Sequence, residues 1–245
     1  GQKTLVYIAK TLGVDHLHPI PEVAKSFDKG GYGVIFDTVS AIIEEIINIQ
    51  DKGDIFLMRH KLNFSFYFIG IVGFFLFAKF IFNSNLKALI AILLYILHPR
   101  LFGHSFFNPK DSILQAFVAM SLYPMAKAYF SFNRKWFALA GIVVGICVAT
   151  RIVLIYLPLS FITVCLIYQA IQSRDEILNY KLIITNISVF TLLFIISMYI
   201  FWPGIWSSPI DNFLITFERM KNFPWLGGNY FLGNYIPSNQ LPWYY

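Results

Sequence analysis

Hydrophobic positions along this chain collect into six long runs, at about 62–82, 86–98, 112–131, 136–150, 152–172 and 182–203. Runs of this kind, with few charges inside them, read as helices that cross a bilayer. Two of them, 86–98 and 136–150, would reach only roughly 20 Å at 1.5 Å per residue, short of a hydrocarbon core about 30 Å thick. Each short run meets polar residues at one end, Pro99-Arg100 in the first and Arg151 in the second, which predicts a thinned, water-filled cavity on that side. Ahead of the runs, Ile35, Val39, Ile42, Ile46 and Ile49 recur at steps of three and four, with Asp37, Ser40, Glu44 and Asn48 on the other side. That spacing predicts an amphipathic helix along the membrane surface, its isoleucine face buried against other helices and its acidic face wet. A second interfacial helix is expected over about Asp211–Phe223, and a turn at Gly30-Gly31-Tyr32-Gly33.

The pattern divides the chain into three parts. Residues 1–61 form an outer loop with the surface helix, 62–203 a transmembrane domain, and 204–245 an outer loop with the interfacial helix. The fold class expected is all-α, a polytopic membrane helical bundle of about six transmembrane helices plus amphipathic surface helices. Charge sets the orientation. Lys79, Lys87, Lys127, Arg134, Lys135, Arg174 and Lys181 gather at one set of connections, while only Arg100, Lys110 and Arg151 lie between segments on the other. The excess of Lys and Arg marks the first set as inside. The chain opens on Gly1 and stops in an aromatic stretch at Tyr245, so it reads as a piece truncated at both ends.

Composition strengthens the membrane reading. Of 245 residues, 57% are hydrophobic and 13% charged, and the mean hydropathy is +0.62. Soluble domains carry about 25% charged residues, so an ordinary soluble enzyme is excluded. The net charge of +6 brings no basic cluster with interleaved aromatics, so nucleic acid is not an expected partner. Cys147 and Cys165 lie inside apolar runs and read as packing residues. Asn63-Phe64-Ser65 and Asn186-Ile187-Ser188 match a glycosylation sequon, but their place in membrane segments makes them chance matches.

The densest chemistry lies between His98 and Asp111, a segment expected as an outer loop. Arg100 and Lys110 suit an anionic group, the first as a planar fork and the second as a point charge. Arg151 stands between two apolar runs, and a cation at that depth faces a cavity or a partner. Arg59-His60 precedes the first run. His98, His104 and Asp111 are too few and too loosely spaced to define a metal centre, so no cofactor is expected, with a divalent metal left open. No P-loop, zincin motif or nucleophile elbow is present.

Taken in order, these residues resemble a known family. Tyr32-Gly33, Phe36-Asp37, Arg59-His60 and Pro99-Arg100 are followed by Gly103-His104-Ser105-Phe106-Phe107-Asn108-Pro109-Lys110-Asp111. Then come Arg151 after a helix with Gly141 and Gly145, Trp202-Pro203-Gly204-Ile205-Trp206, and Leu241-Pro242-Trp243-Tyr244. The pattern is similar to the polyprenyl-phosphate-sugar-dependent membrane glycosyltransferases of family 39, the dolichyl-phosphate-mannose protein mannosyltransferase-like proteins with the GT-C fold. The resemblance implies a hexosyl- or pentosyl-transferase in the plasma or endoplasmic reticulum membrane, with its site on the outer or lumenal side. It implies a polyprenyl-phosphate sugar donor, membrane lipid around the protein, and a protein, lipid or glycan acceptor.

In that frame Arg100, Lys110 and Arg151 would hold the donor phosphate, supported by Arg59, His60, His104 and Asn108. The family's catalytic base is an acidic pair at the outer end of its first membrane helix, which would fall just upstream of Gly1. The candidates within the chain are Asp37 and Asp111, with Asp111 expected to orient Lys110 or Arg100. A degenerate, non-catalytic membrane subunit and a transporter of an anionic solute are the alternatives.

Overall fold

A computed structural model describes residues 34–49, 51–172, 180–221 and 227–242. The glycine turn at 30–33, most of the 172–181 connection and the final aromatic residues, from Trp243 on, lie outside the described residues. The helices are α1 (Ile35–Ile47), α2 (Lys52–Phe82), α3 (Asn85–Leu97), α4 (Pro99–Phe107), α5 (Pro109–Ser131), α6 (Arg134–Thr150), α7 (Tyr156–Gln172), α8 (Tyr180–Phe201) and α9 (Pro209–Lys221). A two-stranded antiparallel hairpin, β1 (Gly228–Phe231) and β2 (Asn234–Pro237), is an addition to the expected all-α fold.

All six apolar runs are helical, yet they do not all pass as membrane spans by length and apolarity. Three stretches do, Lys52–Phe82, Ile152–Ile171 and Tyr180–Phe201, and α3 with α4 makes a fourth if that pair, bent by 64°, is one span. The reasons differ. Helix α5 has 23 residues but carries Gln115, Ser121 and Lys127 along its length, and α6 has only 17 residues. Helix α2 starts earlier than expected, because Asp51 caps it by accepting from the backbone N–H groups of Gly53 and Asp54 at 2.7 and 3.1 Å. Its 31 residues extend over about 46 Å, more than a hydrocarbon core requires.

The bundle is organised by two parallel helix pairs. In the first, Gly70 and Gly73 of α2 lie against Ala116 and Met120 of α5. In the second, Gly141 and Gly145 of α6 lie against the backbone of Phe190 and Phe194 in α8. A Cβ at Gly141 would sit 2.5 Å from the Phe190 carbonyl oxygen, so only glycine permits this approach. Matching rows in the same chain order make each pair parallel, and α3 and α7 carry the chain back between the partners. All connections 83–84 and 132–133 therefore fall at one end of the bundle. There Asn83 and Phe132 end their helices in the left-handed conformation, and Ser84 and Asn133 cap the next ones. Both sequon asparagines are buried and bond across helices. Asn63 donates to the His104 carbonyl at 3.1 Å and accepts from Ser112 at 2.9 Å, and Asn186 donates to the Phe132 carbonyl at 2.6 Å.

The surface helix is present, with Ile35 and Val39 packed on the core as expected, but farther along it the buried face is not the isoleucine face. Ser40 is 0% exposed and Glu44 8%, whereas Ile42 is 41% and Ile46 77% exposed. The apolar phase around a membrane protein lies outside it, so the isoleucines need no protein cover. The polar side turns inward instead, where Glu44 accepts from Arg59 Nε at 2.6 Å. Ile35 and Phe36, at the start of α1, pack on Ile113 and Phe117 of α5 and seat that helix end beside the first turns of α5.

Candidate functional site

Two residue–proline joints build the site. A residue before proline is driven out of the helical region, and proline itself suits the first helical position. His98 is extended (φ −67°, ψ 110°) before Pro99, so α3 stops and α4 starts in a new direction. Ten residues on, Asn108 precedes Pro109 and the chain turns again into α5. The segment expected as a loop is thus mainly a nine-residue helix, α4, laid across the end of the bundle. Asn63 of α2 fixes it there through the His104 carbonyl.

Asn108 organises the second joint. Its side-chain oxygen accepts from the Asp111 N–H at 3.3 Å and caps α5. Its amide group lies 2.9 Å from Asp111 Oδ2 and 3.1 Å from His104 Nδ1. With Nδ1 accepting from that amide, Nε2 is left as the ring's donor. His104 Nδ1 is 4.0 Å from Asp111 Oδ2, beyond hydrogen-bond reach. The other carboxylate oxygen, Oδ1, meets Arg151 Nη2 at 3.0 Å.

Arg151 reaches this carboxylate because α6 ends on it. Its backbone is extended (φ −148°, ψ 119°), with its N–H on the Cys147 carbonyl at 3.1 Å. The flanking Ala149 and Ile152 are buried against Trp202 and Ile205. The Trp202-Pro203-Gly204-Ile205-Trp206 segment is itself tied down, with Trp206 Nε1 donating to the Tyr199 carbonyl at 2.6 Å and Asn212 of α9 to the Gly204 carbonyl at 3.0 Å. Packing thus fixes the backbone while the guanidinium remains half-buried beside a half-exposed carboxylate.

The structure therefore brings His104, Asn108, Asp111 and Arg151 into one network. Lys110 stands exposed beside Asp111 in the first turn of α5. Arg100 is exposed near the start of α4 and pairs with no carboxylate among the described residues. Arg59 is engaged by Glu44, and His60 lies with its ring 4.1 Å from that of Phe56. Asp37, half-buried in the first turn of α1, joins no ion pair among the described residues. Asp111 was expected to orient Lys110 or Arg100; its carboxylate is held by Arg151 and Asn108. Sequence reasoning missed Asn63, Ser112 and Glu44, and for Asn63 the signal was present in an amide placed mid-helix in an apolar run. Among the described residues, no three His, Cys, Asp or Glu side chains cluster to hold a metal ion.

These features define a helical integral membrane protein with a hydrogen-bonded network of His104, Asn108, Asp111 and Arg151 at one bundle end. Residues 62–202, more than half of the chain, match the model of the family described as dolichyl-phosphate-mannose-protein mannosyltransferase. The chain belongs to that family, a family of membrane glycosyltransferases of the mannosyltransferase type. No curated protein and no solved structure matches it.

Proposed function

We propose that this protein transfers a glycosyl group from a polyprenyl-phosphate-linked sugar to an acceptor hydroxyl at the outer or lumenal face of the membrane. The family description names mannose on dolichyl phosphate, and we extend both to this chain. The acceptor oxygen forms a bond to the anomeric carbon as the bond from that carbon to the phosphate oxygen breaks. The phosphate keeps the electron pair, and the acceptor proton passes to a general base. The charge that grows on the leaving phosphate calls for cations already in place. Arg151 takes that role, with Lys110 and Arg100 adding positive charge and His104 and Asn108 neutral hydrogen bonds. Asp111 positions Arg151 rather than serving as the base.

The observation that carries this reading is the 3.0 Å contact between Arg151 and Asp111. It fixes the guanidinium in position and direction, so its positive charge is in place before an anion arrives. The test is donor choice. The membrane-reconstituted protein, given an acceptor peptide with dolichyl-phosphate mannose or with a nucleotide-linked mannose, is expected to form product from the lipid donor alone. Product from the nucleotide sugar, or none from the lipid donor with a folded protein, would contradict it.

A further inference from the structure

At the bundle end away from Arg151, α5 carries a second cation of a different kind. Lys127 lies 16 residues beyond Asp111 on the same helix, about 24 Å along its axis. Its ammonium sits 4.4 Å from the ring centre of Phe80, 5.8 Å from Tyr123 and 5.9 Å from Trp136, which come from α2, α5 and α6. The rings hold one another edge to face, Phe80 with Tyr123 at 6.1 Å and Tyr123 with Trp136 at 5.4 Å. Aromatic faces attract an ammonium but accept few of its hydrogen bonds. Among the described residues no oxygen accepts from the Lys127 ammonium and no carboxylate pairs with it.

Among the described residues the surroundings have one sign. Lys79, Lys87, Arg134, Lys135 and Lys181 all lie at this end, on the last or first turns of α2, α3, α6 and α8. None of them pairs with a carboxylate among the described residues. The chain's acids nearest this end in sequence, Asp175 and Glu176, lie outside the described residues. The α2 and α8 helices are long and apolar enough to cross a bilayer, so their ends meet lipid headgroups.

We propose that Lys127 in its aromatic cage binds the headgroup phosphate of one anionic phospholipid. The cage meets the ammonium with ring faces and leaves its hydrogen bonds to a phosphate of the adjoining headgroup layer. The phosphate oxygens accept those bonds, and the rim of cations selects lipid of net negative charge over zwitterionic lipid. This site lies apart from the transfer site and does not depend on that reading.

The test is native mass spectrometry of the full chain released from bilayers containing equal phosphatidylglycerol and phosphatidylcholine. One retained phosphatidylglycerol per protein is expected, in preference to phosphatidylcholine. Lys127→Gln is expected to lower that retention about five-fold, while Lys135→Gln, on the exposed rim, changes it less than about two-fold. Phe80→Leu opens the cage but keeps the charge, and is expected to weaken retention as well, which decides the matter should Lys127→Gln fail to fold. Equal retention of both lipids, wild-type retention in both cage variants, or an equal fall in Lys135→Gln would overturn the proposal. Displacement of the lipid by inorganic phosphate alone would overturn it too, since the site would then serve a free anion.

Discussion

The two ends of this bundle are made from the same helices and treat positive charge in opposite ways. At one end Arg151 is held by Asp111, and Asp111 by Asn108. At the other, Lys127 rests among aromatic rings, with no carboxylate paired to it among the described residues. A planar guanidinium fixed by a carboxylate has a set direction, whereas an ammonium over aromatic faces keeps rotational freedom. The first arrangement suits a reaction in which charge develops at one point. The second suits holding a headgroup that has no chemistry to undergo. One amino-acid class is thus held in two different ways at the two ends of a single bundle.

The largest expected break in the comparison is Arg151→Ala. Losing one charged donor to the leaving phosphate costs about 2.7–4 kcal/mol of barrier, or roughly 10²–10³ in rate. Transfer from dolichyl-phosphate mannose should fall by that factor, with Arg151→Lys recovering part because the fork is lost. Lys127→Gln should leave transfer within about two-fold, since it lies about 24 Å along α5 from the network. Comparable losses from both would mean that the two ends are not separate in function.

A smaller effect tests the orientation of α1. Ser40→Asp places an unpaired charge in a fully buried position, and should destabilise the folded protein by about 2–4 kcal/mol. Ile42→Asp, on the exposed side, should cost less in detergent, where a melting curve compares the two. The reverse ranking would restore the face expected from sequence. The smallest expected effect is Glu44→Gln, which weakens the half-buried pair with Arg59 by about 1 kcal/mol or less. It should lower the melting midpoint slightly and should do so less at high salt.

The sequence made much of the fold legible, because helices in a membrane announce themselves by apolar runs and by the residues between them. Asn83, Asn133 and the Asn108-Pro109 joint stood where helices stop and start, and the structure places caps at each. The face of α1 was not legible. The hydrophobic period is the same whether the apolar side meets protein or lipid, and only the burial of Ser40 and Glu44 separates the two. Of the candidate site, the residue types were legible in the 98–111 segment and at Arg151. Their pairing was not, since the contact of Arg151 with Asp111 spans 40 residues and depends on where α6 ends. The bend at His98-Pro99 was likewise hidden, because the polar residues around it looked like a loop until α4 was seen as a helix.

The central claim is that Asp111 acts through Arg151, and a double-mutant cycle on the transfer rate addresses it directly. The protein is reconstituted in bilayers, and initial rates from dolichyl-phosphate mannose are measured for wild type, Asp111→Asn, Arg151→Ala and the double variant. Residues that work as one unit give losses that do not multiply. The expected result is a fall of about ten-fold for Asp111→Asn, a larger fall for Arg151→Ala, and a double variant no slower than Arg151→Ala alone. A double variant slowed by the product of the two single losses would contradict it, because Asp111 would then contribute to the reaction independently of Arg151, as a base would.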